Sequence, residues 1–198
     1  MRGNSAFLDA ASKWTSATAG GDVLSPALYP SGTGIWQRCG YEVDLRLEIM
    51  EASLTSRAEM GPVGVATNPN LVEMEDVDRE AFDSFWHMGS TGLAEALSAT
   101  RVSTVLEVRA EDRGLLGYAI VGAQLGMSFL QRIAVRPSHA GQGLGAALVD
   151  AAKAWALGRG CAVMVLNVRP VNERAIGLYQ RAGFQATGKH LLVLRFRR

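Results

Sequence analysis

Residues 129–145 of the chain read FLQRIAVRPSHAGQGLG and decide the fold. The stretch begins as a strand pattern, which Pro137 ends because proline has no N–H to donate to a sheet. A glycine-rich turn follows and leads into residues 143–157, whose alanine-rich pattern predicts a helix. Such a turn leaves several backbone N–H groups free at a helix N-terminus, where they bind anions well. The sequence therefore predicts a site for a phosphate-bearing ligand at this turn.

Composition indicates a globular protein without a strongly charged partner. The 198 residues are 48% hydrophobic and carry 20 basic and 19 acidic side chains, for a net charge of +1. That balance gives no electrostatic footprint for nucleic acid or for an anionic membrane surface, so we expect neither partner. No apolar run approaches the ~20 residues of a membrane span and the N-terminus lacks a signal-peptide pattern, which predicts a cytoplasmic protein. Cys39, Cys161 and the three histidines have no metal-ligand spacing, so we predict reduced thiols and no metal site.

The first 60 residues are predicted to form an accessory N-terminal segment, and residues 61–198 the main domain. A short helix is predicted over residues 6–17 and an alternating strand over residues 41–50. Residues 51–70 contain scattered glycine, proline and polar residues, which predicts a connector.

An internal echo links the accessory segment to the C-terminal region. Residues 34–41 (GIWQRCGY) align with residues 177–184 (GLYQRAGF), with four of eight positions identical and a strand pattern after each. We favour a vestigial second copy of the C-terminal helix–strand unit, although eight residues also allow chance. No glycine-rich loop precedes the first copy, so it is predicted to bind no cofactor.

The main domain is predicted to be an α/β fold with a mixed sheet flanked by helices. Short turns between three consecutive strands predict an antiparallel meander, and a helix between the next two strands predicts a parallel βαβ unit. Thr91 is the predicted cap of the second helix. The predicted helices are 76–88, 93–99, 143–157 and 172–181, and the predicted strands are 103–109, 115–123, 127–135, 161–168 and 191–196.

Two motifs in this region resemble the core of the GNAT superfamily, the acyl-CoA-dependent N-acyltransferases. The first is IAVRP (133–137) followed by GQGLGA (141–146), and the second is the N-x-x-A-x-x-L-Y-x-x-x-G-F block of residues 172–184. The specific match covers residues 129–184, and the order of elements extends the resemblance to residues 71–198. It implies a GNAT-like fold, acetyl-CoA as co-substrate and acetyl transfer to an amine by direct attack in a ternary complex.

The resemblance also implies roles for particular residues. A strand splayed from its parallel neighbour would pair with the pantetheine arm, a backbone N–H near Ile133 would polarise the thioester carbonyl, and the glycine-rich loop would cradle the diphosphate. Tyr179 would protonate the departing thiolate, whereas its helical spacing alone indicates a core residue. The implied cofactor-binding residues are Ile133, Ala134, Val135, Gly141, Gln142, Gly143, Leu144, Gly145, Ala146 and Asn172.

Two positions depart from the family pattern. Ala140 stands where many relatives carry Arg or Gln, so Arg136 or the backbone alone would compensate at the phosphates. Asn167 stands where some relatives that acetylate protein N-termini use a glutamate base, which leaves the general base unassigned. Glu107 and His87 are base candidates by residue type only. The aromatic pair at residues 85–86, with Met88, is either core or a wall of the acceptor pocket.

Two alternative functions remain at this stage. A non-catalytic acyl-CoA-binding sensor or interaction module would use the same fold. A dinucleotide-dependent oxidoreductase is suggested by G-x-G-x-x-A at Gly141, Gly143 and Ala146, but five residues separate Val135 from the first glycine and residues 161–168 contain no carboxylate. The acceptor amine, small molecule or protein, is not identified, and both a monomer and a homodimer are compatible with the sequence.

Overall fold

The computed structural model describes residues 3–19, 22–55, 61–112 and 114–196. They belong to two compact units, one formed by residues 1–50, 167–173 and 186–198 (the first unit) and one by residues 51–166 and 174–185 (the second unit). The helices are α1 (Gly3–Ala19), α2 (Gly34–Arg38), α3 (Leu71–Ala81), α4 (Ser90–Ser98), α5 (Leu144–Leu157) and α6 (Glu173–Arg181). The strands are β1 (Val23–Leu24), β2 (Tyr41–Ser53), β3 (Gly64–Val65), β4 (Val102–Arg109), β5 (Leu115–Gln124), β6 (Met127–Val135), β7 (Val163–Val168) and β8 (Gln185–Phe196).

The predicted mixed α/β fold is confirmed in the second unit. β3, β4, β5 and β6 pair antiparallel in that order, and β6 then pairs parallel with β7 through the crossover helix α5. Tyr118 and Ile120 of β5 face a core that includes Met74 of α3 and Leu93 of α4. Successive strand residues face opposite sides, so the residues between them face the other side of the sheet, where α5 packs on β4, β5 and β6.

The first unit has its own small core around β8. This strand pairs antiparallel with β1, with Val23 opposite Phe196. Cys39, Tyr41 and Leu194 are buried together, and the Trp36 ring meets the Tyr41 ring edge-on with centroids 5.0 Å apart. The segment thus contains the helix and strand that the sequence predicts. The predicted boundary between residues 60 and 61 touches residues 56–60, which lie outside the described residues.

The internal echo corresponds to the same local backbone conformation in both copies. Gly40 follows α2 with φ +86° and Gly183 follows α6 with φ +88°. The Gly40 N–H donates to the Gln37 carbonyl (3.1 Å) and the Gly183 N–H to the Gln180 carbonyl (3.0 Å). A common origin of the two copies stays a prediction, because a shared helix ending also arises from similar local sequence.

The predicted helix over residues 76–88 is wrong at both ends. α3 begins at Leu71, where the Asn70 side chain accepts from two N–H groups of the first turn, and it ends at Ala81. The Asp83 carboxylate then accepts from the Phe85 and Trp86 N–H groups, both at 3.1 Å, and so replaces the helical hydrogen bonds. We call residues 82–89 the α3–α4 segment.

Smaller differences concern other element ends. Thr91 lies inside α4, whose N-cap is Gly89, so the predicted cap is wrong. β8 begins six residues before the predicted strand, and the predicted connector contains the end of β2 and all of β3. Within the described part of the chain, none of the helices has the length and apolarity needed to span a bilayer.

Candidate functional site

A bulge in β6 divides this strand into a paired half and an open half. Residues 127–129 pair in register with residues 163–165 of β7, and the parallel pairing between the two strands ends there. On the other edge, Ile120 and Val121 of β5 face Arg132 and Leu130, which leaves Gln131 as the extra, bulged residue. The bulge therefore lies where β6 stops pairing with its parallel neighbour.

The backbone of Ile133 and Val135 points towards this open edge. The Arg136 N–H donates to the Leu116 carbonyl of β5 at 2.8 Å, which makes positions 136 and 134 the hydrogen-bonded pairs of the antiparallel ladder. Ile133 and Val135 occupy the alternate positions, so their N–H and C=O groups face away from β5. The amide of Ala134 faces β5, and its side chain is buried in the core.

The glycine-rich turn presents bare main chain at the start of α5. Gly141 and Gly143 have φ values of +81° and +82°, and a Cβ added at either position would meet no atom within 4 Å. No side chain of the described residues caps the helix at Gly143. The Ala147 N–H makes the first helical hydrogen bond, to the Gly143 carbonyl at 3.0 Å, so the N–H groups of residues 144–146 have no helical acceptor.

The other predicted residues of the loop complete a slim, accessible turn. Gln142 and Ala146 are exposed, and Leu144 is half-buried. Gly145 lies against α6, because an added Cβ there would stand 3.3 Å from Leu178 Cδ2. This turn can hold an anion through its main chain, and the helix dipole favours a negative charge at that end.

The Arg136 side chain contacts residues of β5 and α3. Its Nε donates to the Leu115 carbonyl at 2.7 Å and its Nη1 forms an ion pair with Glu80. These contacts favour the backbone, rather than the Arg136 side chain, as the substitute for the phosphate contact that Ala140 lacks.

Tyr179 lies on α6 and is buried, with only 6% of its surface exposed. Its ring packs against Phe184 with centroids 5.8 Å apart. Burial raises the pKa of the Tyr179 hydroxyl to about 12, and the positive charge of Arg132 opposes part of that rise. The hydroxyl is therefore protonated at neutral pH and can donate a proton.

The other predicted residues lie on other elements of the chain. Asn172 lies in the first unit, exposed at the turn before α6, where its N–H donates to the Arg169 carbonyl at 2.9 Å. Glu107 forms a 2.9 Å ion pair with Arg109 on β4. His87 is half-buried in the α3–α4 segment. Asn167 is exposed on β7.

Sequence reasoning missed a buried ionic cluster beside the bulge. Asp78 of α3 is fully buried and accepts hydrogen bonds from Tyr118 and Arg132. One signal was available, because Asp78 shares the helical face of Met74 and Val77, where a carboxylate needs a buried partner. Its partner on β6 is 54 residues away, and no local pattern identifies it. Among the described residues no group of three His, Cys, Asp or Glu side chains forms a metal site.

The chain is similar to known proteins at the levels of family, sequence and structure. The model described as "Acetyltransferase (GNAT) family" matches residues 71–184. The aminoglycoside N(6')-acetyltransferase type 1 of Klebsiella aerogenes is 34% identical over an alignment of 102 residues, and the match covers 46% of this chain and 67% of that protein. The probable N-acetyltransferase family 8 member 5 of Mus musculus is 32% identical over an alignment of 123 residues, and the match covers 60% of this chain and 47% of that protein.

A solved structure shows the same fold. The crystal structure of a putative acetyltransferase from the GNAT family of Novosphingobium aromaticivorans superposes with a TM-score of 0.63 at 20% sequence identity. The superposition covers 88% of this chain and 72% of that one. The match to the mouse protein, by contrast, spans less than half of its length.

Proposed function

This chain belongs to the GNAT acetyltransferase family, and from that premise we propose that it transfers an acetyl group from acetyl-CoA to an amine by direct attack in a ternary complex. The proposal rests on two surfaces of the second unit that expose main-chain hydrogen-bonding groups. These are the open edge of β6 at residues 133–135 and the uncapped start of α5. The edge suits an extended amide-bearing arm, and the helix start suits a diphosphate.

The proposed binding mode uses one part of the cofactor for each surface. The pantetheine arm pairs with the N–H and C=O groups of Ile133 and Val135 as an added strand would. The diphosphate accepts from the N–H groups of the turn at residues 141–146. Asn172 is proposed to hydrogen-bond the arm from the turn before α6, as the family resemblance implies.

The chemistry follows from the groups near the bulge. The amine nitrogen attacks the thioester carbon, so that the C–N bond forms as the C–S bond breaks. The Ile133 N–H stabilises the negative charge that develops on the carbonyl oxygen. The amine attacks in its neutral form, and the proton that it loses on forming the amide goes to solvent or to a base not yet assigned. Tyr179 donates its proton to the departing thiolate and regains one from solvent.

A covalent acyl-enzyme is not part of the proposal. Cys161 is buried between α5 and β7, and burial raises the pKa of its thiol, which makes it a poor nucleophile. Initial-rate kinetics test this point, because a ternary complex gives intersecting double-reciprocal lines and a covalent intermediate gives parallel lines.

The acceptor is proposed to be a primary amine on a small molecule or a protein. The bacterial relative is named as an aminoglycoside acetyltransferase, which motivates an aminoglycoside in the assay. Asn167, which cannot accept a proton at neutral pH, favours the second candidate function, a non-catalytic acyl-CoA-binding module. The two functions differ in whether any amine is turned over.

The test measures release of free thiol from acetyl-CoA with kanamycin, spermidine, a lysine peptide and a peptide with a free N-terminus. Turnover on at least one amine supports the enzyme, whereas binding of acetyl-CoA without turnover favours the non-catalytic module. Tyr179→Phe is expected to lower kcat about 100-fold, the low end for a positioned acid, without changing cofactor affinity. Tyr29→Phe is the control, since Tyr29 is exposed in the first unit. Unchanged turnover in Tyr179→Phe contradicts the role of Tyr179.

A further inference from the structure

The Asp78 carboxylate is saturated by partners from three parts of the second unit. Its Oδ2 accepts from the Tyr118 hydroxyl (2.5 Å) and from Arg132 Nε (2.7 Å). Its Oδ1 accepts from Arg132 Nη2 and from the Met88 N–H, both at 2.6 Å. The Arg132 side chain is 9% exposed and that of Asp78 0%, so the two charges neutralise each other away from water.

Arg132 holds the α3–α4 segment at further points. Its Nη2 donates to the Trp86 carbonyl at 2.7 Å, and its guanidinium carbon stands 3.7 Å from the centroid of the Phe82 ring. Together with the bond from Met88 to Asp78, the ion pair contacts the start, the middle and the end of the segment. The segment is not helical, and its internal hydrogen bonds form a short turn around Asp83. The Asp83 carboxylate accepts from the Phe85 and Trp86 N–H groups, and the Asp83 carbonyl accepts from the N–H groups of residues 86 and 87. The ion pair therefore fixes the path of the segment together with the packing of Phe82 and Met88 on the core.

This ion pair lies directly beside the reacting centre of the proposed reaction. Arg132 is adjacent to Gln131 at the bulge and precedes Ile133, whose N–H is the proposed oxyanion donor. The charge of Arg132 also acts on the hydroxyl of Tyr179, the proposed acid. The proposed oxyanion donor, the Ile133 N–H, and the proposed acid, Tyr179, are thus both influenced by Arg132, which also contacts the segment.

The segment also lies on the face from which an acceptor can approach. α5 packs on one side of β4, β5 and β6, and its N-terminus is the proposed phosphate site, so the diphosphate occupies that side. The proposed pantetheine arm lies in the plane of the sheet, at the open edge of β6. Arg132 and Asp78 lie on the other side, with α3. A direct attack on the thioester needs an approach that the cofactor does not block, and the α3 side is the remaining one.

We propose that the Asp78–Arg132 pair is a positioning device that fixes the α3–α4 segment as the acceptor-side wall of the active site. The inference rests on the proposed function, because it assigns a role in amine binding. Phe85 and Trp86, whose rings meet edge-on with centroids 5.2 Å apart, are the apolar part of this wall. The paired charges add no net charge beside the incoming amine, which an unpaired arginine would repel.

Arg132→Lys is the test variant, because it keeps a cation opposite Asp78 but loses the forked contact, the bond to Trp86 and the stacking on Phe82. Arg195→Lys is the matched control. In the first unit, Arg195 makes the same forked contact with an aspartate, to Asp44 at 2.8 and 2.7 Å. Arg195→Lys therefore controls for the loss of one forked Arg–Asp contact, in an ion pair that is more exposed than that of Arg132 and Asp78.

Two measurements are made on each variant well below its melting temperature. The first is the kinetics of the amine with the highest turnover in the thiol-release assay. We expect Arg132→Lys to lower kcat/KM for the amine about 10- to 100-fold, mainly through KM, with an unchanged Kd for acetyl-CoA. The second is amide hydrogen exchange, in which exchange should accelerate in residues 82–89 and stay unchanged in residues 141–146. Arg195→Lys should leave both readouts at the values of the original protein.

The outcomes separate this inference from the proposed function. Unchanged exchange in residues 82–89 of Arg132→Lys overturns the positioning role, whatever the acceptor. Accelerated exchange with an unchanged KM for the amine overturns the acceptor role and leaves a purely structural contact. If the original protein binds acetyl-CoA but acetylates no amine, the proposed function fails first, and the acceptor role fails with it.

Discussion

Replacing Gly143 by alanine tests whether the bare main chain at the start of α5 is a ligand site. Gly143 has φ +82° and an added Cβ would meet nothing within 4 Å. Close packing therefore does not explain why this residue is a glycine. Gly160, at the other end of α5, has φ +73° and equally open surroundings. A Cβ in this conformation costs roughly 1–2 kcal/mol, and the cost is the same at both positions. Gly160→Ala is therefore a control for the conformational cost alone.

Gly143→Ala and Gly160→Ala are expected to lose a small and similar amount of stability. At about 2–4 °C per kcal/mol for a chain of this length, both variants should melt about 2–8 °C lower than the original protein. Cofactor affinity should separate them. In Gly143→Ala the Cβ stands beside the uncapped N–H groups, so at least one charge-assisted hydrogen bond to the diphosphate is lost or lengthened. Such a bond is worth about 1.5–3 kcal/mol, which corresponds to a Kd for acetyl-CoA about 10- to 150-fold higher.

The assay pairs thermal unfolding with calorimetric titration of acetyl-CoA at a temperature where all three proteins are folded. Gly160→Ala should bind acetyl-CoA with the original Kd. Equal affinities of Gly143→Ala and Gly160→Ala would refute the reasoning, because the turn would then serve only to connect β6 to α5.

Three further predictions follow from other contacts in the second unit. Gly117→Ala should lower the free energy of unfolding by about 1–3 kcal/mol and weaken cofactor binding, because its Cβ would stand 2.8 Å from the Ala134 carbonyl oxygen of β6; an unchanged denaturant midpoint would contradict this. Arg132→Met should lower the free energy of unfolding, measured in urea, by about 3–5 kcal/mol, because it leaves the Asp78 carboxylate buried without a cation. The double variant Asp78→Leu with Arg132→Met should be less destabilised than Arg132→Met alone, and additive losses would argue against an interaction between the two residues. The difference in absorbance at 295 nm between the original protein and Tyr179→Phe should show one tyrosine that ionises near pH 12, because burial raises the pKa of Tyr179 above the ordinary value of 10.0. The stability that this hydroxyl contributes is complete below pH 10 and is lost as the pH rises through 12, and a difference centred near pH 10 would show that Tyr179 is not buried.

The strands and the crossover were predictable because their signals are local. The meander follows from three consecutive strand-like runs joined by short turns, and β6 begins and ends at the predicted residues, 127 and 135. The start of α5 was predicted to within one residue because glycine and proline restrict the backbone in known ways. These features need no knowledge of which segments meet in space.

The α3–α4 segment was not predictable on the same grounds. Its apolar residues continue a helical period past residue 81, but the Asp83 carboxylate competes for the N–H groups that would extend the helix. The segment instead contacts Asp78 and Arg132, which are 54 residues apart, and packs on the core through Phe82 and Met88. The bulge at Gln131 is likewise a property of the pairing with β5, and the open edge of the site depends on it.

Isothermal calorimetry with coenzyme A tests the central claim most directly, namely that main-chain groups of β6 and of the turn before α5 hold the cofactor. The account predicts saturable binding with one coenzyme A per chain, and no comparable heat with NAD. A correctly folded protein that gives no heat of binding with coenzyme A would contradict it.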